Sequence, residues 1–429
     1  MNILLTGATG FIGRNVLLAL EKAGHRVTAC VRNPDKIKQL SPLTETIEVD
    51  FISATDITDW LPLLKGIDVV INAVGIINES GKQTFSALHT DAPAALFSAA
   101  EQAGVKRVIQ ISALGADEQA ESQYHLSKLA ADDLLASLAL EWFILRPSVV
   151  YGEGAASMAL FRAMAALPFI PVLDHGRQFL QPVHVSDLVA AVMRCLNARE
   201  NTGQTIDVVG PEKISYLSML KMLRNWLGRS GDIVISAPAS LIIKLVPLMK
   251  WMDEPALSKD SLQMLQRSST SNPEPITKLI GHPPISLDQV LKEQPATQAE
   301  RWHARLYFLR PLLRLSIAFV WIFTGIVSAF FYPHENSFVL LEKIGLSGIA
   351  LPLTLYGAAL LDFLLGVATL FLYRLKLVVS LQLALIIFYS LLLTAIAPEY
   401  WLHPFGPLVK NIPLIVATII MLILEVEKR

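Results

Sequence analysis

Past residue 310 the chain becomes almost continuously apolar, and this limits its fold more than any other feature. Four stretches follow in turn: Leu315 to Tyr332, Leu351 to Tyr373, Leu377 to Ala397 and Leu408 to Leu424. A helix needs roughly 20 apolar residues to cross a hydrocarbon core. The first three stretches are about that long. The fourth is shorter and carries Lys410, and still reads as a span. The composition agrees, with 53% hydrophobic and only 17% charged residues. Arg301, Arg305, Arg310 and Arg314 precede the first span, Arg374 and Lys376 lie in the second-to-third turn, and Lys428 and Arg429 come last. The opposite side holds Lys343 and Lys410 among Glu335, Glu342 and Glu399. Positive residues mark the cytoplasmic side. The expectation is a multi-pass protein of the cell inner membrane, with the N-terminal domain and the C-terminus both cytoplasmic.

Asp362 falls near the middle of the second span, with Ala358 and Gly366 at four-residue intervals on its face. A carboxylate at that depth is costly and marks a candidate functional group. Small neighbours on the same face imply close helix packing, which turns Asp362 into the bundle. Bonding to a neighbouring helix is the plainer reading.

Up to about residue 300 the pattern is different. Short apolar runs at Asn2 to Thr6, His25 to Val31, Thr46 to Phe51, Ile67 to Ala73, Arg107 to Ser112 and Trp142 to Leu145 read as strands. Helical periodicity fills Phe11 to Ala23, Ala87 to Ala103 and Ser122 to Leu140. Strand–helix alternation of this kind builds parallel βαβ units. The predicted fold class is therefore α/β, a doubly wound parallel (Rossmann) sheet, followed by an all-α four-helix transmembrane bundle. Ser186 to Leu196, Thr205 to Val209 and Leu217 to Leu227 are less ordered in pattern, and suggest a small α/β substrate region beside the sheet. The formal net charge is -1, which speaks against a nucleic-acid partner. Cys30 and Cys195 lie far apart, outside any metal-ligand spacing, and read as buried thiols. No metal site and no signal peptide are expected.

The first chemical motif is Thr6-Gly7-Ala8-Thr9-Gly10-Phe11-Ile12-Gly13. It follows a strand and opens a helix, the context that gives such glycine spacing its meaning. Gly7 permits the tight turn, Gly10 lets the backbone approach a pyrophosphate, and Gly13 lets the helix pack close. An acidic residue after the second strand would bind the ribose of NAD. Here Arg32 stands there and Lys36 follows, so a 2′-phosphate is suited and NADP(H) is favoured over NAD(H). Asp50 could bind the adenine edge or cap its own turn. Ala73, Val74 and Gly75 end the fourth strand with small residues beside which a cofactor can lie.

Ser112 ends the fifth strand, and Tyr124-His125-Leu126-Ser127-Lys128 follows. Tyr124 and Lys128, four apart, share one helix face. A nearby ammonium would lower the phenol pKa toward neutrality, so the pair suits proton exchange with a substrate oxygen during hydride transfer. Ser112 would orient that oxygen. The candidate catalytic residues are Ser112, Tyr124 and Lys128. Tyr124, Lys128 and Pro147 join the glycine motif, Arg32, Asp50 and Ala73 to Gly75 as candidate cofactor contacts.

With these motifs, residues 1 to about 230 resemble the short-chain dehydrogenase/reductase superfamily in its extended or atypical branch. Leu145-Arg146-Pro147-Ser148-Val149-Val150-Tyr151-Gly152 and Pro182-Val183-His184-Val185-Ser186-Asp187 look like stretches lining that branch's substrate cleft. Ile111-Ser112-Ala113-Leu114-Gly115-Ala116-Asp117 is similar to proteins related to the accessory NADPH-binding subunit of respiratory complex I, a group in which the fold can persist without turnover. Two residues depart from the branch: Ala113, where a second hydroxyl is frequent, and His89, near a frequent structural asparagine. The bundle resembles the DoxX-like family through Trp321-Ile322-Phe323-Thr324-Gly325 and through Trp401-Leu402-His403-Pro404-Phe405-Gly406-Pro407 leading to Lys410-Asn411. The resemblances imply a membrane-anchored NAD(P)H-dependent oxidoreductase, or an epimerase-like enzyme, acting on a lipophilic or quinone-like substrate. The alternative is a non-catalytic NADPH-binding scaffold or assembly factor with a membrane redox partner.

The expected divisions are 1–230 for the dinucleotide-binding domain, 231–300 for substrate-region helices and linker, and 301–429 for the membrane domain. Residues 268–300, rich in Ser, Thr, Asn, Pro and Gln, read as loosely structured. Ser236 to Met252 is unusually apolar, with Leu241, Ile242, Ile243, Leu245, Val246, Leu248, Met249 and Trp251, broken by Lys244 and Lys250 and kinked by Pro247. It reads equally as a helix lying at a lipid interface and as a cover for the cleft.

Overall fold

The computed structural model describes residues 1–246 and 258–426. These fall into two compact units, one of residues 1–246 with 258–304, the other of residues 305–426.

Seven strands form the sheet of the first unit: β1 (Asn2–Thr6), β2 (Arg26–Val31), β3 (Glu45–Glu48), β4 (Val69–Asn72), β5 (Arg107–Ile111), β6 (Glu141–Pro147) and β7 (Gln204–Val208). All pairings are parallel, in the order β7-β6-β5-β4-β1-β2-β3. The order reverses between β1 and β4, where open α/β sheets bind ligands beyond their strand ends. Alternate residues feed two cores. Ile3, Leu5 and Ile71 pack with helices α1 (Phe11–Lys22) and Val185–Asn197 on one face. Leu4 and Val70 pack with α2 (Ala92–Gln102) and α3 (Gln123–Ser137) on the other. Both faces are covered, which is why β4 and β5 are apolar almost throughout rather than alternating.

Three expectations change here. Gln204–Val208 is not part of a side region; it is the seventh strand, paired with β6. The helix Val185–Asn197 likewise belongs to the main core. The side region is instead built from the helices Ala156–Ala166 and Tyr216–Trp226 and the parallel strand pair Ile170–Leu173 and Val234–Ala237. Residues 268–300 are not loose. They contain the helices Glu274–Ile280 and Leu287–Glu293, anchored by buried Ile276, Ile280 and Leu287. Burying an isoleucine contributes about 1.5–3 kcal/mol, enough to order seven-residue helices that local propensity would leave frayed.

The helix Ala239–Leu245 packs Ala239, Ile242 and Ile243 inward on Leu173 and Leu262, while Leu241 and Lys244 face outward. Pro247, Leu248, Met249, Lys250, Trp251 and Met252 lie outside the described residues, as does the side chain of Leu245.

In the second unit three helices among the described residues are long and apolar enough to cross a membrane: α4 (Leu309–Ile326, extended by a π-turn to Phe331), α5 (Ala350–Leu370) and α6 (Leu375–Ile396). The fourth expected span is the 16-residue α7 (Asn411–Val426), about 24 Å long at 1.5 Å per residue. A short helix, His334–Glu342, follows the first span and had no sequence signal. Glycines set the spacing of α4 and α5. A Cβ on Gly366 would lie 2.6 Å from Ile322 Cγ1, and one on Gly325 would lie 2.6 Å from the Ala359 carbonyl. Asp362 sits one turn before Gly366, and its Oδ1 is buried with no hydrogen-bond partner among the described residues. Arg314, expected in the basic flank, is instead buried and paired with Glu425 at 3.3 Å.

Candidate active site

A cleft of about 820 Å3 opens at the carboxyl ends of β1, β4 and β5. Its floor is the loop between β1 and α1. Gly7 takes φ +70°, and a Cβ there would lie 2.5 Å from the Ala73 carbonyl. A Cβ on Gly13 would meet the Gly7 carbonyl at 2.1 Å. No side chain fits at either position, so backbone alone shapes the cradle. Gly10 caps α1 without a side-chain bond, and the first turn carries no acidic residue. The N–H groups of that turn are therefore available to an anion. Gly10, Phe11 and Ile12 reach the cleft wall. Thr6 and Ala8 are buried beneath it, and Thr9 is exposed. Thr6 Oγ1 donates to Asn72 Oδ1 at 2.5 Å, and Asn72 Nδ2 donates to Gln110 Oε1 at 2.7 Å, tying together the ends of β1, β4 and β5.

The opposite wall holds Ala73, Val74, Gly75, Ser112, Tyr124, Lys128 and Pro147. Ser122 caps α3 and places Tyr124 in its first turn. Three rings surround the phenol ring, those of Phe85, His89 and His125, with centroids at 5.9, 5.4 and 5.2 Å. Burial pushes the Tyr124 pKa up to about 12. This reverses the expected drop toward neutrality: loss of solvent outweighs any pull from the neighbouring ammonium, and the phenol stays protonated. Lys128 Nζ donates to the carbonyls of Val74 at 3.1 Å and Ile111 at 3.2 Å. Burial lowers its pKa to about 8, against the opposing influence of Asp132.

Ser112 borders the cleft, but its hydroxyl proton is committed elsewhere, to Asp132 Oδ2 at 2.7 Å. Arg146 Nε reaches the same oxygen at 3.1 Å. Burial raises the Asp132 pKa to about 6, despite the favourable bonds from Ser112 and Arg146. His89 accepts the Ile76 N–H at Nε2, 2.9 Å away, so its Nδ1–H faces Ser127 Oγ at 3.0 Å. Burial, and then the charge of Lys128, lower its pKa to about 2. His89 is thus a neutral brace between the loop after β4 and α3.

Arg32 and Asp50 do not line the cleft; both are exposed beyond the ends of β2 and β3. Asp50 Oδ1 accepts the Ile52 N–H at 3.1 Å, which is a cap on its own turn. The sequence reading missed His125, Asp117 and Arg267. His125 lies within the Tyr124 to Lys128 run and was visible there. Arg267 is joined through both Asp117 oxygens, at 3.0 and 3.1 Å, across 150 residues of chain, and no local pattern signals that pairing. Beyond these groups the cleft is largely apolar, walled by Leu160, Phe161, Val172, Leu173, Leu262 and Leu265, with Ser148, Asp207, Ser268, Ser269 and Thr270 adding polar positions to the lining.

Residues 7–162 match the family described as NAD(P)H-binding, and residues 318–419 match the DoxX-like family. The chain joins an NAD(P)H-binding domain to a DoxX-like domain. A ceramide reductase of Caulobacter vibrioides is 31% identical over 194 residues, covering 44% of this chain and 59% of that protein. The mitochondrial NADH dehydrogenase (ubiquinone) 1 alpha subcomplex subunit 9 of Arabidopsis thaliana is 29% identical over 231 residues, covering 51% and 57%. The chain therefore spans under two thirds of either relative. An NADPH-dependent quinone oxidoreductase of Escherichia coli, solved with NADPH, superposes with a TM-score of 0.55 at 20% identity, over 68% of this chain and 99% of that one. That likeness shows a shared fold. The NAD(P)H-binding domain has the cradle its cofactor needs, because the positions that a Cβ would block are glycine. The three long apolar helices fit the DoxX-like domain as a helical membrane domain.

Proposed function

We propose that the chain is a membrane-anchored, NADPH-dependent oxidoreductase that reduces a carbonyl group on a lipophilic, membrane-derived substrate. The observation that carries this reading is the placement of a protonated Tyr124 phenol, Lys128 and the open first turn of α1 around one cleft whose remainder is largely apolar. The similarity to a ceramide reductase supports a lipid as substrate class. NADPH supplies the hydride when bound. The N–H groups of Phe11, Ile12 and Gly13 would hold the pyrophosphate, and Ala73, Val74, Gly75 and Pro147 would flank the rest of the cofactor. Lys128 has three donors, and two are spent on Val74 and Ile111, so one is left for ribose hydroxyls. Arg32 and Lys36 would pair with the 2′-phosphate.

Tyr124 holds a proton at its phenol oxygen and passes it to the substrate oxygen. A phenol that stays protonated is suited to reduction more than to oxidation. The rings of Phe85, His89 and His125 hold it in line, and the apolar walls keep bulk water from competing for the proton.

The test uses the full chain in lipid vesicles with NADPH and a panel of long-chain ketones. Turnover of long-chain ketones is expected. Tyr124→Phe should lower it by 10²–10⁴-fold, the usual worth of a general acid, with NADPH affinity within about twofold of the unmodified protein. Unchanged turnover in Tyr124→Phe would sink the assignment. One observation favours a second reading, a scaffold or assembly factor whose nucleotide is structural: the Ser112 proton goes to Asp132 and not to the cleft. The relatives in mitochondrial NADH dehydrogenase suit that reading. Tight NADPH binding with no turnover across the panel would select it.

A further inference from the structure

One wall of the cleft, at Ile235, runs out onto an exposed apolar surface. Strand Val234–Ala237 pairs with Ile170–Leu173 in a sheet of two strands, so among the described residues one of its edges has no strand partner. Ile233 is 67% exposed, Val234 37% and Ile235 49%, and Leu241 of the next helix is 49% exposed. Ile235 is at once half exposed and part of the cleft wall, as are its neighbours Ala237 and Ile242 a part of that wall. The apolar surface and the apolar cleft are therefore continuous. The four-residue strand, Val-Ile-Ser-Ala, carries no charge and no proline within it, and Asp232 and Pro238 flank it. A contiguous exposed apolar patch marks an interaction site.

The partner is argued from the same chain. Its second unit carries, among the described residues, three helices long and apolar enough to cross a membrane, so the chain brings a bilayer with it as a candidate partner. Lys244 and Lys259 are exposed on the two helices beside it, placed to reach lipid phosphates while apolar neighbours sink. The unpaired strand edge sets the depth. Its backbone N–H and C=O groups need water, which the hydrocarbon core lacks, so the strand stops among the head groups.

We propose that the surface formed by Ile233, Val234, Ile235 and Leu241 rests on the lipid bilayer at head-group depth and holds the mouth of the cleft at the membrane. This contact does not depend on the reaction assigned above, and its test needs no turnover. Cys30 and Cys195 are buried, so an introduced surface cysteine takes a thiol-reactive fluorophore selectively. The full chain is reconstituted in phosphatidylethanolamine–phosphatidylglycerol vesicles with bimane at Ile233→Cys or Leu241→Cys. Leu43→Cys, at a site 96% exposed and remote in the fold, is the reference. Lipids with a nitroxide near the head group should quench the first two several-fold more than the reference, and aqueous iodide should quench them several-fold less. Iodide quenching equal to that at Leu43→Cys would overturn the proposal. So would protection from both quenchers, because protein, a second copy or the chain's own membrane unit, would then cover the surface.

Discussion

Arg32 stands just past β2, where a dinucleotide-binding sheet meets the ribose of its cofactor, and no carboxylate occupies that place. If its guanidinium pairs with the 2′-phosphate, Arg32→Asp should weaken NADPH by roughly 1.5–3 kcal/mol, about ten- to a hundredfold, and NADH hardly at all. Titration of both dinucleotides by fluorescence measures this, and equal losses would place the phosphate elsewhere. Arg32 could be singled out from the sequence because its role follows from distance along the chain to a glycine motif. Tyr124 and Lys128 were legible for a similar reason, since a four-residue spacing fixes a shared helix face. What spacing cannot convey is solvent. The Tyr124 pKa moves up because the protein surrounds the ring, and the surrounding residues come from separate segments. Ser112 fails as a free hydroxyl for the same kind of reason. Its partner Asp132 lies 20 residues on, one turn beyond Lys128, and only the packing of α3 against β5 brings the two together.

At the scale of elements, the glycines of α4 and α5 carry a prediction. Gly366→Leu places a side chain where even a Cβ would lie 2.7 Å from the Ile322 backbone nitrogen. The helices must part, at a cost of about 1–3 kcal/mol or more from overpacking. The expected result is a lower thermal midpoint for the membrane unit in detergent, with NADPH binding unchanged. Leu360→Ala, on an exposed position of α5, should leave that midpoint nearly in place if the same lipid-facing area is kept wetted by detergent. Equal midpoints for Gly366→Leu and the unmodified protein would mean that the α4–α5 contact does not hold the unit together. The six strands and three long helices of the first 147 residues were readable because apolar runs and periodicity there are long enough to be unambiguous, whereas the short helices Pro34–Leu40 and Ile57–Trp60 were not read. Glu274–Ile280 and Leu287–Glu293 were not, because each has seven residues and a polar surface. Their order comes from Ile276, Ile280 and Leu287 reaching cores assembled from distant chain. Strand β7 was misplaced for the same reason: its neighbour β6 ends 57 residues before β7 begins, and only the register Phe143 to Gln204 shows the pairing.

For the whole molecule, the number of helices that cross decides where the C-terminus lies. Four crossings put the C-terminus on the side of the NAD(P)H-binding domain; three put it opposite. The excess of Lys and Arg before α4, between α5 and α6, and after α7 favours four, and the 16 residues of α7 then require a locally thinned bilayer. The buried Arg314–Glu425 pair joins the start of α4 to the end of α7 within this unit, which suits ends on one face. A reporter fused to the C-terminus should read cytoplasmic, and one inserted beside Glu335 should read external. A C-terminal reporter on the external side would show that α7 does not cross. The helix Glu274–Ile280 has a further consequence, in the timing of synthesis. Ile276 and Ile280 are among the last residues of the core that contains Leu5 and Ile71, and Ile280 precedes Leu309 by 29 residues. A ribosome adding roughly 5–20 residues per second passes that interval in a few seconds. The core of the first unit can close only shortly before the first long apolar helix is made, so its folding and the emergence of α4 overlap on the nascent chain.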